Sequence, residues 1–170
     1  MATTPDLFRE VMRCWPSGVA VVTSLSGSPP NTRAHGMVVG SFCSLSAEPP
    51  LVMFSASATS RTHAVVAESG VFAISILSQE QVEVFERFAG FTPSHEGNRF
   101  AGLATMSATT GVPVFPDGLA WLDCRVVRQH PGEGYTIFVG EVVEASLGSG
   151  AEGLPLIYFR RRRHHLREAS

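Results

Sequence analysis

Two stretches of small and hydroxylated residues carry the chemistry this chain has to offer. The first is Ser-Ala-Ser-Ala-Thr-Ser-Arg-Thr-His, Ser55 to His63. A strand that ends in small residues and gives way to a helix leaves unpaired N–H groups at the positive end of the helix dipole. Ser60, Arg61 and Thr62 add hydroxyl and guanidinium donors at that junction, which is chemistry for seating a phosphate. An ordinary N-cap in a polar loop has the same composition. The second stretch is Val38-Val39-Gly40-Ser41, followed by Phe42. Small residues let a flat, polar-edged ring reach backbone N–H and C=O groups, although a barrel strand with a bulge would read the same way.

Other chemistries find no support in the sequence. There is no Gly-X-Ser-X-Gly elbow, no Gly-X-Gly-X-X-Gly turn and no P-loop, so hydrolase, dinucleotide-fold and nucleotide-triphosphate readings lack their motifs. His35, His63, His95, His130, His164 and His165 show no spacing that brings three ligands to one metal, and no metal site is expected. Cys14, Cys43 and Cys124 are odd in number, widely spread and without a Cys-X-X-Cys pair, which favours reduced thiols over a disulfide framework. No apolar run approaches the ~20 residues of a membrane span, and the first residues lack the basic start and apolar stretch of a secretory signal. A cytoplasmic protein with no membrane and no nucleic-acid partner is expected.

The elements that must position the two stretches follow from periodicity. The chain has 170 residues, 44% of them hydrophobic and 16% charged, with a net charge of −2. That suits one domain over residues 1–170, with only the last few residues at each end loose. Pro5 to Trp15 predicts a short amphipathic helix with Asp6 in its first turn. Ser17 to Leu25 reads as a strand, Ser26 to Pro30 as a turn, and Arg33 to Leu45 as a return strand in which Gly36 and Gly40 mark a bulge or a close approach. Strands are predicted over Leu51 to Phe54 and Val71 to Leu77, and helices over Thr59 to Ser69 and from Gln79 to a stop at Gly90. Phe91 to Pro116 predicts an irregular excursion. Three strands follow, Leu119 to Val127, Tyr135 to Ala145 and Leu156 to Phe159, with a turn through Pro131 to Gly134 and a solvated or interface-facing tail over Arg160 to Arg163. A run of strands broken by few helices predicts a mainly β fold, an antiparallel barrel rather than a parallel doubly wound sheet.

Laid in order, these segments resemble the short-chain flavin reductases with an FMN-binding split barrel, the reductase components of two-component flavin-dependent monooxygenases. The likeness rests on Phe8 to Ser24, His35 to Phe54, Ser57 to His63, Arg87 to Gly90, Asn98 to Leu103, Ala120 to Val127, Thr136 to Ala145 and Pro155 to Arg162. It implies an antiparallel split β-barrel with short flanking helices, a homodimer, and FAD or FMN reduced by NADH, with NADPH possible. Reduced flavin would then pass to a separate monooxygenase. A split-barrel protein that binds flavin or haem without turnover is the alternative.

By the same resemblance the ring would lie on Val38, Val39, Gly40 and Ser41, and the phosphate on Ser55, Ala56, Ser60, Arg61 and Thr62. Arg87, Phe88, Asn98 and Phe100 would close around the cofactor, and His35, Tyr135, Tyr158, Arg160 and Arg161 would serve the nicotinamide. No side chain is expected to be catalytic, because hydride passes directly between cofactors. Two positions depart from the family pattern. Gly40 stands where many relatives carry Asn or Ser, and Tyr135 where many carry His.

Overall fold

Alternation of apolar residues fails along Ser17 to Leu25, and the structure shows why: the strand there is covered on both faces. The computed structural model describes residues 3–91 and 97–166. The strands are β1 (Ser17–Gly18), β2 (Ala20–Ser26), β3 (Arg33–Val39), β4 (Cys43–Ala47), β5 (Pro50–Ser57), β6 (Val71–Ile76), β7 (Met106–Ser107), β8 (Pro113–Val114), β9 (Ala120–Gly132), β10 (Tyr135–Leu147), β11 (Ile157–Phe159) and β12 (Arg162–His164). Between them lie the helices α1 (Pro5–Met12), α2 (Arg61–Ser69) and α3 (Val82–Phe88).

Seven strands form one antiparallel sheet in the order β3-β2-β6-β9-β10-β5-β4. The sheet curls until its two ends meet at a seam. There the Ser41 hydroxyl donates to the Ser55 carbonyl at 3.0 Å and accepts the Ser55 N–H at 3.1 Å. One side chain thus does across the seam what a strand ladder does elsewhere. Two hydrophobic clusters back this sheet. In one, Ala20 and Val22 of β2 meet Phe54, Phe72, Phe138 and Val66. In the other, Val19 and Val21 meet Leu77, Phe85, Phe88 and Phe115. Successive residues of β2 therefore feed opposite cores.

The mainly β, antiparallel expectation holds, and several boundaries move. The expected strand Arg33 to Leu45 is two strands, broken at Gly40–Phe42 where the chain crosses the seam. Gly36 makes no bulge and pairs regularly with Thr23. What requires glycine there is the Phe88 ring, which would stand 2.7 Å from an added Cβ. The expected turn at Pro131 to Gly134 shrinks to Glu133-Gly134, because Pro131 sits in β9 opposite Thr136. Phe91 to Pro116 includes the short β7–β8 pair. The expected tail at Arg160 to Arg163 is instead the turn and return strand of a hairpin, β11–β12, which pairs through β11 with β1.

Phe54 is fully buried, stacked on Phe138 at 5.2 Å and edge-on to Phe72 at 5.0 Å. Phe54→Ala is expected to cost roughly 3–5 kcal/mol. For a chain of this size that lowers the melting temperature by roughly 6–20 °C, read by calorimetry.

Candidate functional site

Residues two apart on β3 share a face, so Arg33, His35 and Met37 point the same way. They form one wall of a cavity of about 650 Å³. Ser60, Arg61 and Thr62 at the start of α2 form a second wall, and Gly97 to Phe100 a third. Among the described residues the lining includes Arg33, Arg61 and Arg99 and no carboxylate-bearing residue. In a chain of net charge −2 that is a local concentration of positive charge.

The start of α2 reinforces it. Ser60 occupies the N-cap position but its side chain makes no capping bond. Its hydroxyl donates instead to the Met37 sulfur at 3.2 Å, so no side-chain cap competes with a ligand for the N–H groups of the first helical turn.

His35 is buried, and its Nε2 lies 2.8 Å from the Ser26 hydroxyl. Burial lowers its pKa, and the Arg61 and Arg33 guanidinium charges lower it further. The imidazole is therefore neutral near pH 7 and presents a polar edge without adding charge.

The same strand continues into a smaller slot of about 240 Å³. Val38, Val39 and Gly40 line it opposite Phe85, Phe91 and Tyr158. A third cavity, of about 330 Å³, shares Ser17, Gly40 and Tyr158 with the slot and carries Arg160 and Arg161. The space where a Gly40 side chain would stand is taken by the Ser17 hydroxyl, 2.8 Å from an ideal Cβ.

Of the residues singled out by sequence, His35, Ser60, Arg61, Thr62, Asn98 and Phe100 meet in the large cavity. Val38, Val39, Gly40 and Tyr158 meet in the slot, and Arg160 and Arg161 stand in the adjoining cavity. Others are placed elsewhere. Ser41 and Ser55 are engaged with each other at the seam. Ala56 faces the barrel interior with Phe54, since residues two apart on β5 share a face. Tyr135 lines none of the three cavities. Its ring lies over Gly132 across its own hairpin, 2.5 Å from where a Cβ would stand, and the residue is 46% exposed.

Arg87 and Phe88 sit behind the cavity wall. Arg87 donates to the Ala101 carbonyl and pairs with Glu83, and the Phe88 ring meets Phe100 at 4.9 Å. Both hold the 97–103 segment from outside. Sequence reasoning passed over Arg33 and Arg99 as site residues. Arg33 donates to the Gly97 carbonyl at 2.8 Å, a contact between residues far apart in the chain, and its place two residues before His35 on one strand was the available signal. Cys124 is excluded as a nucleophile, because burial, helped by the Asp123 charge, pushes its pKa up to about 12.

The His35 shift has a stability consequence of definite sign. Its folded-state value lies below the ordinary 6.5, so between the two values the unfolded chain takes up a proton that the folded chain refuses. Stability therefore falls as pH drops from 6.5 through that window, and this group contributes no slope above it. Thermal melts on the acid side are expected to show a shallower loss for His35→Gln than for the unsubstituted protein. Parallel curves would remove His35 from the account.

The family model described as flavin reductase like domain matches residues 12–167. The reductase subunit of a flavin-dependent monooxygenase from Rhodococcus jostii (strain RHA1) is 33% identical over 159 residues, covering 94% of this chain and 76% of that protein. An NADH:riboflavin 5'-phosphate oxidoreductase from Streptomyces pristinaespiralis is 36% identical over 165 residues, covering 96% of this chain and 89% of that protein. The NADH:FAD oxidoreductase of Streptomyces globisporus C-1027, solved in complex with NAD and FAD fragments, shares the fold at a TM-score of 0.83. It is 27% identical, with 98% of this chain and 97% of that one covered. A cationic cavity and an apolar slot strung along one strand of a split barrel thus accompany a match over nearly the whole chain, which belongs to the flavin reductase like domain family.

Proposed function

We propose that this protein is an NADH-dependent flavin reductase that reduces FAD or FMN and supplies the reduced flavin to a separate monooxygenase. The observation that carries the reading is β3 itself. Its first half lines a cavity bearing three arginines and, among the described residues, no carboxylate, and its second half lines an apolar slot. A flavin has that division of character, an anionic tail joined to a largely apolar ring.

The residues present fit such a ligand. Arg33, Arg61, Arg99 and the first turn of α2 would hold the phosphate-bearing tail, and the backbone of Val38 to Gly40 would meet the ring. When bound, the flavin supplies the two-electron acceptor for a hydride from dihydronicotinamide. The protein's own part is positional. Phe85, Phe91 and Tyr158 give the slot an apolar wall, and Tyr158 stands where the slot meets the third cavity, beside the expected nicotinamide position. Among the described residues neither the slot nor the third cavity is lined by an Asp, Glu, His or Cys, which suits a reaction decided by holding two rings in contact.

A homodimer and a cytoplasmic location complete the reading. The apolar face of α1 supports the first: Leu7, Phe8, Val11 and Met12 are all exposed, and no residue of the helix is buried. Cysteines that form no disulfide support the second. No helix among the described residues is long and apolar enough to cross a membrane.

Mixing the purified protein with NADH and either flavin is expected to bleach the NADH absorbance, and failure with both flavins would refute the reading. Arg61→Ala is expected to raise the flavin KM roughly tenfold to hundredfold with little change in kcat, as loss of a charge-assisted contact to a bound phosphate implies.

A further inference from the structure

The two ends of β3 meet different surroundings. Near its C-terminal end the Met37 sulfur lies 3.2 Å from the Ser60 hydroxyl at the start of α2, and the slot begins at the next residue, Val38. Arg33 opens the strand, four residues before Met37. At ~3.3 Å per residue, the two Cα atoms stand about 13 Å apart. The large cavity does not end at α2. Its lining runs along β3 from Met37 through Gly36, His35 and Ala34 to Arg33, and on to Thr32.

Arg33 is held at that far end. Its Nη2 donates to the Gly97 carbonyl at 2.8 Å, which ties the guanidinium to the opposite wall and keeps it from swinging back to Ser60. The tie leaves its charge unspent, since the acceptor is neutral. Among the described residues neither Arg33 nor Arg61 is paired with a carboxylate. Burial first, then the Arg61 and Arg33 charges, keep the His35 imidazole neutral. The cavity therefore carries two separate cations along one strand, one beside the slot and one remote from it.

A flavin whose ring meets the backbone of Val38 to Gly40 brings its ribityl phosphate to the first turn of α2 and Arg61. FMN ends at that phosphate, which leaves Arg33 and the space before it unmatched. A second phosphate with a nucleoside behind it is the flavin chemistry that continues along the strand. We propose that the site selects FAD over FMN, and that Arg33 is the residue that reads the second phosphate. The inference rests on the reductase reading and narrows its substrate: Arg61 and the start of α2 serve both flavins, whereas Arg33 serves the dinucleotide alone.

Calorimetric titration of FAD and of FMN, with no NADH present, tests the selection without turnover. The unsubstituted protein is expected to bind FAD about tenfold or more tighter than FMN, the difference that one charge-assisted contact makes. Arg33→Gln removes the charge and keeps an amide that can still donate to Gly97, so the wall is retained. This variant is expected to raise the FAD Kd about tenfold and the FMN Kd about twofold or less. Arg61→Ala is expected to weaken both flavins together. Equal affinity for the two flavins, tighter binding of FMN, an equal rise for both in Arg33→Gln, or an unchanged FAD Kd in that variant would each overturn the selection. A protein that binds FAD in this manner and oxidises no NADH would instead sink the reductase reading, while the choice of flavin stands.

Discussion

Burial of β2 on both faces fixes everything that follows along its neighbour. Val19 and Val21 belong to one core and Ala20 and Val22 to the other, so β2 cannot slide by one residue without exchanging its partners in two places at once. Its pairing with β3 inherits that rigidity, from Ala20 opposite Val39 to Ser26 opposite Arg33. A one-residue slip of β3 would turn Arg33, His35 and Met37 away from the cavity and drive the side chain replacing Gly36 into the Phe88 ring. The site is therefore specified by the cores before any ligand is present.

The positive cavity is also built from arginines whose backbone contacts fix the opposite wall. Arg33 holds Gly97, Arg87 holds Ala101 from behind, and Arg99 reaches the Phe88 carbonyl at 3.4 Å. The segment from Gly97, which has little regular structure, is thereby tied to β3 and α3 at several points, and among the described residues no carboxylate in the lining offsets the charge. In Arg33 and Arg99 the charge that would attract an anionic tail and the bonds that shape its wall come from the same guanidinium groups, so recognition and local order are coupled there.

Much of this was legible in the residues. Hydroxyls and an arginine at a strand-to-helix junction located the cationic cavity, because helix N-termini have the same electrostatics in any fold. The strand pattern located the barrel. What escaped was set by contacts distant in sequence. Arg33 reads as a polar strand start until Gly97 is brought to it, and Ala56 sits amid hydroxyls yet faces inward by the pleat of β5. The run Arg160 to Arg163 lacks every residue that ordinarily signals a tight turn, so its hairpin was invisible to turn chemistry. Tyr135 follows Gly132 by three residues, and only the completed hairpin shows the ring lying over that glycine.

The placement of the cysteines bears on endurance. Reduced flavin released into aerated solution generates peroxide, so a supplier of it works amid its own oxidant. Peroxide attacks thiolates, and a Cys124 thiol held near 12 beneath the barrel wall offers almost none. Cys14 and Cys43 lie at the surface, where sulfenic acid can form and be reversed without opening a core. Oxidative wear on this molecule would thus begin on its skin and leave the barrel for last.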